Sequence, residues 1–467
     1  MKRLFPIGLL LFAAVLIASR TPAAAQGGDT ATSQPTSVAT SSATAASTTP
    51  PYNVIGYFVQ WGIYARNYRI KQVETSGSAA KLTHLIYAFA NVSTDYKCYE
   101  ETRFGWGDAN ADYGWLFSSA ESVDGVADTF DQNLKGHFNQ IKKLKALHPQ
   151  LKVLMSIGGY SWSGRFSDAA LPENRVAFVQ SCIDLFIRGN LPKISGTRSG
   201  GPGSAAGVFD GIDIDWEFPN DPAFTGDPSR SLPPNVYRPE DKQNYTALLA
   251  EFRKQLDEVG KETGKHYLLT AAMSIGADKM ANLEIPKIYP NLDFINLFTY
   301  DLHGAWAATG PTDFDAALYS SPDDPSPAPV GSYSVDYGVK AYEAQGVPAN
   351  KLMVGIPFYG RGWTNVPNKN NGLYQSDPAM APAPGQYEAG VNDYKVLKKL
   401  TAPIYRDPKT QAMWVYDGKT FWNYDDPITI AAKMDYIKKN SLGGTMFWSL
   451  DGDDGTLVKA IADGLQQ

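Results

Sequence analysis

The chain is predicted to be an α/β protein, a (β/α)8 barrel with a small α+β insertion, on three observations. Eight short apolar runs recur along it. Segments with helical periodicity separate those runs. One interval near the end is too long to be a simple loop. The runs are 53–59 (NVIGYFV), 82–90 (LTHLIYAFA), 151–158 (LKVLMSIG), 207–216 (GVFDGIDIDW), 267–274 (YLLTAAMS), 292–300 (LDFINLFTY), 351–359 (KLMVGIPFY) and 443–450 (GGTMFWSL). They show little alternation with polar residues, as expected for strands buried on both faces. A doubly wound open sheet is the alternative, and the count of eight with no Gly-rich phosphate loop favours the barrel.

Between the runs, 244–260 places Tyr245, Leu248, Leu249, Phe252, Leu256 and Val259 on one helical face. The stretch 175–188 does the same with Val176, Val179, Ile183, Phe186 and Ile187, and 428–440 reads as a helix near the end. The long interval after Tyr359 predicts an insertion at about 362–424, rising from the rim after the seventh strand. Residues 91–133 are rich in Tyr, Trp and Asp and are expected to form part of a cleft wall.

The first residues read as an export signal. Met-Lys-Arg is followed by a short apolar stretch from Ile7 to Ala18 and by Ala-Ala-Ala at 23–25, so 1–25 is the expected signal peptide and the mature chain a secreted, extracellular one. That stretch is too short to span a bilayer, and no membrane association is expected after cleavage. Residues 26–51, dominated by Ser, Thr and Ala, form an expected disordered linker, leaving 52–467 as the catalytic unit.

The chain has 467 residues, a net charge of −6 and a pI near 5.5. A mildly acidic chain argues against a nucleic-acid partner, which calls for basic patches. The two cysteines, Cys98 and Cys182, can bridge in an oxidising compartment or remain as small buried groups. With five scattered histidines, they supply no metal-ligand cluster, so no metal and no cofactor are expected. The 10 Trp, 26 Tyr and 21 Phe either fill a large core or offer stacking platforms for sugar rings.

The chemistry is concentrated in Phe209–Phe218 (FDGIDIDWEF), which carries Asp210, Asp213, Asp215 and Glu217. Period-two alternation puts Asp213, Asp215 and Glu217 on one face, lining the barrel axis, with Ile212, Ile214 and Trp216 toward the helices. Glu217 is then nearest the C-terminal mouth, where barrel active sites lie. Asp210, of the other parity, reads as a structural acid near the strand's start. Neighbouring carboxylates in a low dielectric cannot all ionise cheaply, so at least one pKa rises. A raised Glu at the mouth is a general acid suited to glycoside hydrolysis.

These residues resemble the DxxDxDxE signature of glycoside hydrolase family 18, the retaining chitinases. Six further blocks and the signature follow the family's order over roughly residues 52–466: the stretch from Gly56 through Tyr68, the second run, Ser156–Gly159 (SIGG), 298–306 (FTYDLHGAW), 355–363 (GIPFYGRGW) and 442–453 (LGGTMFWSLDGD). The resemblance implies a chitinase acting on chitin and chito-oligosaccharides as a monomer, with Glu217 as general acid and base. No protein carboxylate attacks the sugar; the substrate's acetamido oxygen does so, giving an oxazolinium ion. Asp215 is implied to bind the acetamido N–H, Asp213 to share a proton with Asp215, and Tyr300 to donate to the acetamido oxygen. Asp301, Tyr359, Arg361, Trp448, Trp61, Trp306, Tyr160 and Glu388 are implied substrate contacts. Tyr160, Phe298 and Tyr387 depart from the family's usual Trp, Met and Trp. Two other activities on the same barrel are alternatives: a non-catalytic chitin-binding lectin, and an endo-β-N-acetylglucosaminidase.

Overall fold

The computed structural model of the protein describes residues 51–466 apart from position 104. The expected signal peptide and nearly all of the linker lie outside the described residues. Eight parallel strands form the centre: β1 (Asn53–Val59), β2 (His84–Val92), β3 (Lys152–Gly158), β4 (Gly211–Asp215), β5 (Leu268–Ser274), β6 (Phe294–Phe298), β7 (Leu352–Pro357) and β8 (Gly444–Trp448). Each pairs with its sequence neighbours, and β1 pairs in parallel with both β2 and β8. The sheet therefore closes, which excludes the doubly wound alternative.

Alternation along the strands builds two apolar layers. Ile55, Ile86, Leu154, Phe294, Met353 and Met446 fill the barrel's interior. The opposite face of each strand packs against the outer helices in one large cluster, in which Ile212, Ile214 and Trp216 are all buried. Trp216 stacks on Phe166 at 5.3 Å and meets Tyr245 edge-on at 5.3 Å. Burying side chains of this size stabilises a core by about 1.5–3 kcal/mol each.

The helix expected at 244–260 runs Asp241–Thr263, buries all six residues of its expected face, and ends on Gly264 in a left-handed cap. The helix Pro427–Lys439 starts with a capping box between Asp426 and Thr429. The third helix departs from expectation. Pro172–Cys182 is α-helical and passes into a wider π turn over Ile183–Ile187. Its buried face includes Phe178, Val179, Cys182, Ile183 and Phe186, whereas Val176 is 53% exposed. At 100° per residue Val176 lies about a quarter turn from the centre of that face, so the larger Phe178 takes the core position.

The insertion is an antiparallel sheet. Tyr359–Thr364 pairs with Ala381–Pro382, Val391–Asp393 and Phe421–Tyr424, and the sheet continues through Ala412–Tyr416 to Ile404–Asp407. Its own apolar cluster includes Trp363, Trp414 and Phe421. Cys98 and Cys182 are bridged, with Cα atoms 5.0 Å apart, inside the usual range for a disulfide. The bridge ties the segment after β2 to the end of the third helix. Among the described residues no helix is long and apolar enough to cross a membrane.

Candidate active site

A cleft of about 1210 Å³ opens at the C-terminal ends of the strands. That exceeds a typical small-molecule pocket and suits an oligomer. The cleft brings together Trp61, Tyr160, Asp215, Glu217, Tyr300, Asp301, Trp306, Tyr359, Arg361, Glu388 and Trp448. Asp213 lies beneath it, fully buried in β4. Asp210 stands apart: its carboxylate accepts from Lys145 Nζ at 2.7 Å and from the Val153 amide at 2.9 Å. These contacts fasten the start of β4 to β3 and a neighbouring helix.

Asp213 is saturated with donors. It accepts from Tyr57 at 2.8 Å, Ser156 at 2.7 Å, Thr270 at 2.5 Å and Asn296 at 3.4 Å. Ser156, Asp213 and Thr270 are register partners across β3, β4 and β5, so the sheet itself lines these groups up. Burial pushes the Asp213 pKa up, and the four donors oppose that rise. Motif reasoning did not single out these four donors. Their signal is a polar residue in the middle of an apolar strand run, as at Ser156, Thr270 and Asn296.

Asp215 differs from it. Its Oδ1 is buried without a hydrogen-bond partner. Burial raises its pKa well above the usual range, and the charges of Glu217 and Asp213 add to this. No hydrogen bond joins Asp213 to Asp215 in the structure; Asp213's four donors take its oxygens instead. Glu217 follows the end of β4 and is half-buried in the cleft floor. Its pKa is pushed up to about 8, first by burial and then by the charge of Asp301, with the Tyr160 amide opposing. Its backbone is held at both ends: Ser163 Oγ accepts from the Glu217 amide at 2.8 Å, and Asn235 donates to the Glu217 carbonyl at 2.8 Å. Neither residue carries a local sequence signal, because Ser163 comes from a single 3-10 turn and Asn235 from a loop.

Two glycines make room for this arrangement. Gly158, at φ 110°, lies so close to the Asp215 carbonyl that an added Cβ would stand 2.3 Å from its oxygen. Gly355 on β7 passes under the Tyr300 ring, where a Cβ would come within 2.8 Å of Cε1. Tyr300 is buried beside the acids, and its hydroxyl has only a 4.0 Å contact with the Met446 sulfur.

Asp301 leaves β6 in a left-handed conformation, φ 55°, which Asp tolerates better than most residues. Its carboxylate accepts from Tyr359 at 2.7 Å and from Arg361 at 2.9 and 2.5 Å. The buried Asp315 accepts the Asp301 amide at 2.8 Å and braces that turn. Trp306, 60% exposed, stacks under the Arg361 guanidinium at 5.0 Å. At the cleft's centre Phe89 stacks on Trp448 at 5.5 Å and on Trp61 at 6.1 Å, making a continuous aromatic surface. Tyr160, 52% exposed, anchors its hydroxyl on the Ala223 carbonyl. Trp162 donates to the Gly105 carbonyl at 2.8 Å, and Gly105, Gly107 and Asp108 bring the stretch 91–133 to the cleft wall. Glu388 also stands on the cleft wall, and Arg66 lies over the neighbouring Tyr387 ring at 4.2 Å.

The fold also brings ligand atoms of His303, Asp313 and Asp324 within 4.8 Å of one another. All three belong to the long connection after β6, which folds back on itself. No helical or strand spacing reveals such a set in the sequence.

Comparison with known proteins agrees with this geometry. The profile for glycosyl hydrolases family 18 matches residues 53–453. Chitinase C of Streptomyces lividans is 40% identical over 409 residues, covering 85% of this chain and 57% of that protein. Chitinase 63 of Streptomyces plicatus is 40% identical over 420 residues, covering 88% of this chain and 60% of that protein. The chain thus spans little more than half the length of these relatives. The catalytic domain of the psychrophilic chitinase B from Arthrobacter TAD20 superposes with a TM-score of 0.82 at 42% identity, covering 89% of this chain and 95% of that one. Chitinase ChiA74 from Bacillus thuringiensis superposes at 0.72 with 32% identity, covering 89% of this chain and 69% of that one. With the family's profile spanning the whole barrel and its acids converging on one cleft, the chain belongs to the family 18 glycosyl hydrolases.

Proposed function

We propose that the protein is a secreted chitinase that hydrolyses β-1,4 bonds between N-acetylglucosamine units with retention of configuration. The observation that carries this reading is the pairing of a Glu217 that stays protonated to about pH 8 with a buried Asp215 oxygen that has no partner. Glu217 protonates the glycosidic oxygen as the bond to C1 breaks. The acetamido carbonyl oxygen of the same sugar closes on C1 to give an oxazolinium ion, the substrate-assisted route. Asp215 accepts the acetamido N–H and offsets the positive charge that develops there. Asp213 stands behind it as an acidic neighbour, and Tyr300 donates to the acetamido oxygen. The Glu217 carboxylate then takes a proton from water, which opens the ring from the same face and restores the β anomer. The aromatic surface of Trp61, Phe89 and Trp448 offers apolar area to sugar faces. Tyr160, Asp301, Trp306, Tyr359, Arg361 and Glu388 line the path to either side.

The decisive experiment is Glu217→Gln assayed on a soluble chitin hexamer. Turnover should fall by about 10²–10⁴ while hexamer binding, followed by tryptophan fluorescence, persists. Wild-type turnover in the variant would sink the assignment. Product anomers read by NMR in the first minutes test retention. Release from a high-mannose glycopeptide in preference to the hexamer would favour an endo-β-N-acetylglucosaminidase. No cleavage of either by the unsubstituted chain would favour a lectin.

A further inference from the structure

Outside the cleft, His303, Asp313 and Asp324 form a second cluster of potential ligands. His303 Nδ1 lies 3.8 Å from Asp313 Oδ2, and its Nε2 lies 3.8 Å from Asp324 Oδ2. Each carboxylate uses its other oxygen to accept a backbone amide, Asp313 Oδ1 from Phe314 at 2.7 Å and Asp324 Oδ1 from Ser326 at 2.7 Å. Both Oδ2 atoms are thereby turned toward the imidazole. Asp313 is only 3% exposed, and its Oδ2 has no hydrogen-bond partner. The Tyr374 hydroxyl lies near both carboxylates. Among the described residues no Lys or Arg pairs with Asp313 or Asp324. Two carboxylates gathered around an imidazole, with an orphaned oxygen aimed inward, lack the positive charge that buried acids require.

We infer that His303, Asp313 and Asp324 form a site for a divalent transition cation, with Zn²⁺ the best match. Imidazole with carboxylates suits zinc and its neighbours, whereas Ca²⁺ and Mg²⁺ take oxygen ligands almost exclusively. Tetrahedral ligands about 2.0–2.1 Å from Zn²⁺ stand roughly 3.4 Å from one another. The imidazole ligates through one ring nitrogen, so one of the two 3.8 Å approaches lies within a few tenths of an ångström of that spacing, and the other carboxylate, whose ligand atom lies within 4.8 Å of the rest of the set, has farther to close. A cation here ties the start of the connection after β6, two residues beyond Asp301, to its middle at Asp313 and Asp324.

The test uses the full chain without a histidine tag, stripped with a chelator. Isothermal titration with Zn²⁺ should show one equivalent bound and a raised Tm, while Ca²⁺ at the same concentration should give neither. Asp313→Asn and His303→Ala should each weaken Zn²⁺ binding roughly tenfold or more. Glu217→Gln should leave binding unchanged, which separates this site from the cleft acids. Absence of stoichiometric Zn²⁺ binding, preference for Ca²⁺, or unaltered binding in both site variants would overturn the inference. In that case His303 is an ordinary imidazole between two acids. If the variants fail to fold, Co²⁺ added to the unsubstituted chain decides: visible ligand-field bands support the site, and a featureless spectrum overturns it.

Discussion

The two walls of the cleft hold their acids in opposite ways. On the β4 side, none of the groups acting on Asp213, Asp215 or Glu217 is a cation. On the opposite side three acids have an arginine: Asp301 pairs with Arg361 at 2.5 Å, and Arg66 pairs with Asp393 at 2.7 Å and Asp451 at 3.1 Å. An acid buried without a counter-ion is pushed toward its protonated form, and one beside an arginine has that push opposed, as Arg66 opposes it at Asp451. Proton transfer needs the first kind and a shaped wall needs the second, so the same residue types serve two ends.

After loss of Glu217 itself, the largest effect that distinguishes the walls is expected at Asp215. Asp215→Asn keeps the volume but removes the carboxylate that the proposed mechanism sets against the acetamido N–H. kcat on the hexamer should fall by about 10²–10³, the scale of one preorganised electrostatic contact. An unchanged kcat would mean that Asp215 is only a packing group. Removing a cation from the opposite wall should act on stability instead. Arg66→Met removes the arginine from two buried carboxylates, of which Asp393 keeps Lys395 at 3.5 Å, and the 3–5 kcal/mol cost of breaking a fully buried pair falls to roughly 2–4 kcal/mol for a partly exposed arginine. Urea unfolding measures this, and a loss within about 0.5 kcal/mol would remove the contrast between the walls.

A third expectation links the walls. The charge of Asp301 helps hold the Glu217 pKa near 8. Asp301→Asn removes that charge, so Glu217 loses its proton more readily. The alkaline limb of kcat/KM should then move to lower pH, whatever happens to the rate at the optimum. A limb that stays in place would show that burial alone sets the pKa.

The barrel and the row of acids were legible because both rest on strand alternation, which is local. Asp213, Asp215 and Glu217 share a parity, and the sheet obeys it as far as the end of β4. The insertion was visible only as an interval too long to be a loop, since its strand pairings connect residues far apart, as Arg361 does with Val391 and Asn423. The groups that tune the site were hidden for the same reason. Tyr57 reaches Asp213 across 156 positions, and Ser163 holds the Glu217 amide across 54. Val176 misled because an apolar residue at helical spacing is read as core, yet a bulkier neighbour took the position. The trio around His303 was invisible because its connection has no period at all.

The smallest effect follows from what the β4 side gives up for its proton. Glu217 has an ordinary pKa of 4.5 that the fold raises to about 8. The folded state therefore binds the proton more tightly than the unfolded chain does. Its contribution to stability is fully present below about pH 4.5 and is lost as pH rises through 8. The Glu217→Gln variant has no proton to lose. Its Tm should match that of the unsubstituted chain near pH 4.5, apart from a constant offset, and gain on it steadily up to about pH 8, with no further change above. Because Glu217 is only half-buried, solvent screens part of the effect, and a gain of about 1–2 °C is expected for a chain of this size. Asp301→Asn should show a fraction of the same trend, since it removes one of the two causes of the raised pKa. A Tm difference that stays constant from pH 5 to pH 9 would place the cost of this site in packing and not in the retained proton.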